Sequence, residues 1–180
     1  ANNDSGRFVA IGTYSVGRTP QSSVAADFDG DGSIDLAVAN RHSHSVIVLK
    51  NHGDGTFGAA AGYAVQRQPF SIATADFDGD LRPELATANY YENTVSVLPN
   101  YGDGTFRPAV NYDVGIDPQS VRTANLNGDG KVDLVVVNAL DNSVYVLLND
   151  GTGLFNAGPY NPNLPDPISS VVADFDSDGT

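Results

Sequence analysis

The stretch DFDGDGSIDLAVAN, residues 27–40, decides how this chain folds, because it joins an acidic loop directly to a short apolar segment. Its first nine residues carry aspartate at positions 1, 3, 5 and 9, and glycine at position 6 permits a sharp bend. The residues that follow, LAVAN, are small or β-branched and are bounded by turns, which is typical of a strand. The stretch therefore predicts several carboxylates gathered in one loop at the start of a strand.

The same stretch recurs with a period of 49 residues and without insertion or deletion. Prolines, serines, asparagines and phenylalanines outside the loop keep the same step, as Pro20, Pro69 and Pro118 illustrate. Self-similarity at a fixed period is the sequence signature of a repeat architecture. The first residues of the successive loops are Asp27, Asp76, Asn125 and Asp174.

Each repeat predicts four short strands, A to D, separated by turns rich in glycine and proline. No stretch of ten residues has a helical period. Strands of this length and spacing favour the four-stranded blades of a β-propeller, and the small residues of strand A suit a place where strands converge on an axis. The alternative is a β-solenoid, whose coils are usually shorter, about 20–30 residues. In the first complete unit the predicted strands are 22–27, 35–40, 45–51 and 59–65.

The chain is therefore predicted to be all-β, a single partial β-propeller domain over residues 1–180. We expect the ring to be completed by another chain or by a missing segment. The absence of methionine at residue 1 agrees with a processed, trimmed or fragmentary chain. The predicted parts are an outer strand at about 7–16 that closes another blade, complete blades at about 20–66, 69–115 and 118–164, and the start of a next blade at 167–180.

The acidic loop has the chemistry of a calcium site. Ca²⁺ takes about six to eight oxygen ligands, and alternate carboxylates with the carbonyl of residue 7 supply most of them. An EF-hand is excluded because position 12 is Val38 rather than a bidentate glutamate. A plain surface turn would explain one copy but not four in register. The predicted ligands are Asp27, Asp29, Asp31, Ser33 and Asp35; Asp76, Asp78, Asp80, Arg82 and Glu84; Asn125, Asn127, Asp129, Lys131 and Asp133; and Asp174, Asp176 and Asp178.

The copies of the loop differ in ways that predict different affinities. In the second, Leu81 replaces the bend glycine and the longer Glu84 replaces the last aspartate. In the third, Asn125 and Asn127 offer amide oxygens that carry no charge. We therefore expect the first loop to bind calcium more tightly than the second or third.

The formal net charge of −13 limits the possible partners. A uniformly acidic surface repels nucleic acid and anionic membranes, so we expect neither nucleic-acid binding nor membrane insertion. Thirteen of the 22 acidic residues nevertheless lie in the four loops, which indicates local ligand charge rather than a polyanionic surface. The chain has no cysteine, and it shows neither a long apolar run nor a signal-peptide pattern.

The combination of DFDGDGSIDLAVAN with NHGDGTFGAA, together with their copies, resembles the FG-GAP/VCBS repeat. This family builds the calcium-bearing β-propellers of integrin α chains and of many secreted microbial proteins. The resemblance covers nearly the whole chain, although the FG and GAP elements themselves are only loosely kept. It implies a Ca²⁺ ion in the A–B loop of each blade and a secreted or cell-surface location.

Strand direction predicts two distinct faces of the propeller. The A–B loops and C–D turns share one face, and the B–C turns and D–A linkers share the other. The second face breaks the repeat, so its variable residues are the candidates for ligand binding. Ordinary polar turns are the alternative, and a zinc site at His42 and His44 lacks a third ligand. The candidates are Arg41, His42, Tyr90 and Tyr91.

We predict no catalytic residues and no enzyme activity. No histidine has an evident serine partner, and the acidic groups recur in every repeat, whereas an active site normally occurs once. The preferred function is a calcium-binding recognition or adhesion module for carbohydrate, in the manner of a lectin, or for an extracellular protein. The alternatives are a structural scaffold and an accessory domain of a larger secreted enzyme that acts on polysaccharides.

Overall fold

The structure is a computed structural model that describes residue 10, residues 12–160 and residues 167–173. The described residues form strands and turns. Among them, no helix is long and apolar enough to cross a membrane.

Twelve strands form three antiparallel sheets of four strands each. Within a sheet the strands follow chain order, so each hydrogen-bonds to its sequence neighbours. The first blade is β1 (Pro20–Ala26), β2 (Asp35–Asn40), β3 (Ser45–Leu49) and β4 (Ala61–Ala64). The second is β5 (Pro69–Ala75), β6 (Glu84–Asn89), β7 (Thr94–Leu98) and β8 (Val110–Asp113). The third is β9 (Pro118–Ala124), β10 (Asp133–Asn138), β11 (Ser143–Asn149) and β12 (Phe155–Tyr160).

The predicted propeller blades are confirmed, with small changes at strand ends. β1 begins two residues earlier than predicted, at Pro20, and ends at Ala26, because Asp27 turns into the loop. β3 ends at Leu49 rather than at residue 51, and Asn51 forms only an isolated bridge with Phe57. The repeat pattern therefore predicted where the strands lie but not the residue at which each strand ends.

Neighbouring blades stack through two hydrophobic clusters. Alternate side chains of a strand point to opposite faces, so Leu85 of β6 packs towards the first blade and Ala86 packs towards the third. All residues of β6 and β7 are consequently buried. The buried residues between blades one and two are Phe28, Ala37, Ala39, Val46, Val48, Ile72, Leu85, Leu98 and Phe106. Those between blades two and three are Ala73, Phe77, Ala86, Ala88, Val95, Val97, Val121, Leu134, Val136, Leu147 and Phe155.

The A strands lie side by side where the blades converge, because β5 contacts both β1 and β9. A cavity of about 500 Å³ opens among them and is also lined by Val171 and Val172. Val171 and Val172 therefore lie beside the A strands, although residues 167–173 form no strand themselves. The small residues of strand A thus serve the close approach that the sequence predicted.

A tyrosine at or near the outer strand of one blade packs against a phenylalanine of the next blade. The ring of Tyr63 meets that of Phe106 edge-on at 5.3 Å, and the ring of Tyr112 meets that of Phe155 at 5.5 Å. Tyr14 makes the same contact with Phe57 at 5.3 Å. Of the predicted outer strand at 7–16, residues 10 and 12–16 form no strand pairs, and the rest lies outside the described residues.

Candidate metal centre

The first acidic loop is folded by its own aspartates. The carboxylate of Asp27 accepts hydrogen bonds from the amides of Gly30 at 2.7 Å and Gly32 at 2.8 Å. Both glycines have positive φ, a conformation that glycine adopts without a steric penalty. The second loop repeats these bonds from Asp76, but the residue at the bend is Leu81, with φ of 67°. The loop therefore keeps its geometry without the bend glycine, but Leu81 takes a strained left-handed conformation there.

Three of the four predicted carboxylates in each of the first two loops come together. Their oxygens lie within 4.8 Å of one another in the group formed by Asp27, Asp29 and Asp35. The equivalent group in the second loop is Asp76, Asp78 and Glu84, with the same spacing limit. These are positions 1, 3 and 9 of the predicted motif.

The acid at position 5 lies outside both groups. It accepts a hydrogen bond from the amide of residue 7, and the bond recurs in three loops. These bonds join Asp31 with Ser33 at 2.7 Å, Asp80 with Arg82 at 2.9 Å, and Asp129 with Lys131 at 3.0 Å. The carbonyls of Ser33, Arg82 and Lys131 stay predicted ligands.

The acid at position 9 is the buried anchor of each loop. Asp35 is 0% exposed and accepts hydrogen bonds from the amides of Phe28 and Asn51, so it ties the loop to the end of β3. Glu84 is 2% exposed and accepts hydrogen bonds from the equivalent amides, those of Phe77 and Asn100. Asp133 does the same in the third blade. The sequence predicted a metal ligand here but missed this structural role.

Burial changes the electrostatics of these carboxyls. Desolvation raises the pKa of Asp35, and it raises the pKa of Glu84 to about 7, despite the amide hydrogen bonds that oppose the shift. Neighbouring aspartates add to both shifts through charge repulsion. A bound cation would offset this repulsion, because an opposite charge favours the ionised form.

The third loop differs from the first two at position 1. The amide oxygen of Asn125 is buried and has no hydrogen-bond partner, whereas the carboxylate of Asp27 at the same position is bonded twice. Buried acceptors in proteins are usually hydrogen-bonded, so this oxygen is available to ligate a water or an ion. Asn127 accepts a hydrogen bond from the amide of Asp129. The donor set of all three loops, which is rich in hard oxygen atoms, fits calcium. The fourth loop, with Asp174, Asp176 and Asp178, lies outside the described residues.

The C–D turn of one blade closes over the acidic loop of the preceding blade. The side-chain amide of Asn100 donates to the carbonyls of Phe28, 2.9 Å away in the first loop, and Pro83, 3.0 Å away in its own blade. Asn149 repeats the arrangement with Phe77 at 2.7 Å and Val132 at 3.0 Å. The predicted sharing of one face by A–B loops and C–D turns is confirmed.

The opposite face brings two of the four predicted ligand residues together. The guanidinium of Arg41 lies 5.3 Å from the ring centre of Tyr90 and 5.5 Å from that of Phe70. Phe70 was not among the residues predicted from the sequence, although it stands where the other two blades have glutamine. Tyr91 is 55% exposed and lies under the guanidinium of Arg67, at 4.3 Å.

The histidines of this face are engaged in local bonds. The Nδ1 atom of His42 is 2.8 Å from the hydroxyl of Thr19, and that of His44 accepts a hydrogen bond from the amide of Gln68. Within the described ranges, no group of three potential metal ligands includes a histidine. Backbone bonds from Tyr90 to Gln68 and from Arg41 to Thr19 join B–C turns to D–A linkers, which confirms the second shared face.

Stacked four-stranded blades, each with an oxygen-rich loop between its first two strands, define a β-propeller repeat protein. Comparison with protein families finds FG-GAP-like repeats at residues 27–87, 77–136 and 125–180. The chain therefore belongs to the FG-GAP-like repeat family. A comparison with curated proteins found no match.

Solved structures with the same fold are distant in sequence. A lectin from Agrocybe aegerita that recognises non-reducing terminal N-acetylglucosamine has 23% identity and a TM-score of 0.51, over 82% of this chain and 38% of its own. A functionally unknown protein from Desulfotomaculum acetoxidans has 15% identity and a TM-score of 0.60, over 81% and 44%. The Tc holotoxin pore of Photorhabdus luminescens has 24% identity and a TM-score of 0.50, over 81% and 7%. This chain thus spans less than half the length of each.

Proposed function

We propose that this chain is a calcium-binding, non-catalytic recognition module that works outside the cell. The observation that carries the proposal is the convergence of three carboxylates within 4.8 Å in each of two loops. The unpartnered amide oxygen of Asn125 supports a third site. Calcium would be held by the acids at positions 1, 3 and 9. Because the acid at position 9 is the first residue of a buried strand, the ion would link the loop to that strand.

Calcium titration by calorimetry tests the proposal. Asp29→Asn, which removes one charge from the first group, is expected to weaken one site, whereas Asp113→Asn, an exposed acid at the end of β8, is expected to leave binding unchanged. Absence of any calcium-dependent heat in the unmodified chain would refute the proposal. Asp29→Ala and Asn127→Ala, which both remove the ligand at position 3, compare the first loop with the third; equal losses of affinity would contradict the expected ranking.

Calcium removal tests the structural role of the ion. A ligand that binds only the folded state stabilises it by about 2.7 kcal/mol at one hundred times its dissociation constant. We therefore expect excess EDTA to lower the melting temperature, and calcium, but not magnesium, to restore it. For the proposed secreted or cell-surface location we expect dissociation constants of about 10⁻⁴–10⁻³ M, which are usual for extracellular calcium modules.

The face opposite the calcium loops is the proposed recognition surface. Arg41 with Phe70 and Tyr90 offers a cation beside aromatic rings, and exposed Tyr91 offers a ring that can stack on a sugar. The fold shared with the Agrocybe aegerita lectin supports carbohydrate as the ligand. A glycan array in calcium tests this version, with Tyr91→Ala as the variant. The matched control is Leu140→Ala, which removes another exposed side chain, 69% accessible, at the equivalent turn position of the third blade.

A silent array would favour the alternatives, a structural scaffold or an accessory domain of a larger secreted enzyme that acts on polysaccharides. An extracellular protein partner is the other ligand class, and binding to cell surfaces after glycan removal would favour it. We propose no catalysis because the acidic groups recur in successive blades with the same hydrogen bonds. Polysaccharide hydrolysis by the purified chain, abolished by Asp78→Asn, would overturn that part.

A further inference from the structure

A cleft opens beside the second acidic loop, between the second and third blades. It has a volume of about 460 Å³. Asp78 and Glu84 of the second loop line it, together with Arg107. The remaining wall is largely apolar and is formed by Val97, Pro99, Pro108, Val110, Thr152, Gly153 and Leu154.

The equivalent place between the first and second blades is filled by a lysine of the chain itself. The ammonium of Lys50 lies 3.4 Å from a carboxylate oxygen of Asp29 and donates a hydrogen bond to the carbonyl of Asp103. Its stem crosses Gly104 so closely that a Cβ added there would lie 2.5 Å from the lysine Cε. Lys50 therefore links the acidic loop of one blade to the C–D turn of the next.

One repeat later the acceptors are kept but the lysine is not. Asp78 corresponds to Asp29, and Thr152, whose carbonyl corresponds to that of Asp103, lines the cleft. Pro99 stands where Lys50 does. Among the described residues, no cation forms a salt bridge with Asp78.

The backbone that the Lys50 stem crosses has the same conformation as the equivalent backbone one repeat later. Gly104 and Gly153 have φ of 74° and 77°. Around Gly153, however, a Cβ would meet only the Cβ of Asp78, at 3.5 Å. The space that the Lys50 stem occupies over Gly104 is thus open over Gly153, and it leads into the cleft.

We propose that this cleft binds the lysine side chain of a partner polypeptide. The ammonium would lie between the carboxylate of Asp78 and the carbonyl of Thr152, as that of Lys50 does in the first junction. The four-carbon stem would cover Val110 and Leu154, which are 40% and 53% exposed. Arg107, which stacks on Tyr101 and has no ion pair among the described residues, would donate to the partner's backbone carbonyl. Asp78 is also a proposed calcium ligand, and the ammonium would bond one of its two oxygens, as Lys50 bonds one oxygen of Asp29 at the same position of the first loop. The carbonyl of Thr152 and the open space over Gly153 support the lysine proposal whether or not calcium binds.

The experiment titrates the full chain, in saturating calcium, with Nα-acetyl-lysine methylamide and follows the amide NMR signals of Thr152 and Gly153. The matched ligand is Nα-acetyl-norleucine methylamide, which has a similar apolar stem and no ammonium. The test variant is Pro99→Lys, which restores the lysine of the first junction and fills the cleft from within. The control variant is Leu148→Lys, which makes a similar charge change at the equivalent position of the third blade.

We expect the lysine compound to shift these signals and the norleucine compound to bind at least about tenfold more weakly, a difference of about 1.4 kcal/mol. Pro99→Lys should weaken lysine binding by at least the same factor, and Leu148→Lys should leave it unchanged. A melting curve and a calcium titration show that each variant is folded. Lack of binding to the unmodified chain, equal binding of the two compounds, or unchanged binding by folded Pro99→Lys would each overturn the proposal. The calcium titration is a separate readout, so a failure of the calcium proposal would be seen independently.

Discussion

Replacing Asn100 by alanine would sever a link between neighbouring blades. Asn100 is buried at the start of the second C–D turn and makes three side-chain hydrogen bonds. Its Nδ2 atom donates hydrogen bonds to the carbonyls of Phe28 and Pro83. Its Oδ1 atom accepts a hydrogen bond from the amide of Gly102 at 2.7 Å. Only the bond to Phe28 crosses between blades.

The first repeat supplies a matched control. Asn51 holds one carbonyl of its own blade, that of Ile34, and accepts from the amides of Gly53 and Gly55. A typical hydrogen bond contributes about 1 kcal/mol net, and a buried acceptor left without a partner costs about 1–3 kcal/mol. We expect Asn100→Ala to lower the free energy of unfolding by about 1–3 kcal/mol more than Asn51→Ala does, because Asn100→Ala, unlike Asn51→Ala, leaves the buried carbonyl of Phe28 without a partner.

Urea unfolding followed by tyrosine fluorescence measures both values, since the chain has eight tyrosines and no tryptophan. Asn149→Ala is an internal replicate, because Asn149 makes the same bonds one repeat later, and its loss should match that of Asn100. If Asn100→Ala and Asn51→Ala destabilise the chain equally, the bond across the blades contributes nothing and the reasoning is refuted.

Three further changes test other parts of the fold. Leu81→Gly should raise the free energy of unfolding by up to about 1 kcal/mol, because it relieves a left-handed conformation at a side chain that is 89% exposed; an unchanged midpoint in urea would contradict this. Phe106→Ala should cost about 3–5 kcal/mol, and Phe57→Ala less, because Phe106 is buried against two rings and Phe57 meets one in the described structure; equal losses in thermal unfolding would be inconsistent with this. Asp117→Asn should stabilise the chain at pH 7 but not at pH 3. Burial raises the pKa of the Asp117 carboxyl, so its ionised form destabilises the fold as pH rises through that pKa, and its protonated form does not. A gain that is equal at both pH values would refute the charge explanation.

Much of the fold could be predicted from local patterns. The 49-residue period, the alternation of short strands with glycine-rich turns and the acidic loop are all visible in one repeat. The positive φ at Leu81 was also foreseeable, because its position holds glycine in the first and third loops. These features depend on residues close together in the chain, so backbone sterics and strand pairing between sequence neighbours determine them.

The sequence by itself determined the four-stranded blade, the acidic loops and the two faces of the propeller. Only the tertiary structure decided that Asn100 spans to Phe28, that Arg41 reaches Phe70 and Tyr90, and that the lysine site is filled beside the first loop but open beside the second. Each of these contacts joins two blades, so its partners are far apart in the chain. Hydrogen bonding and burial at such contacts depend on how one blade lies against the next, and no repeat encodes this alone.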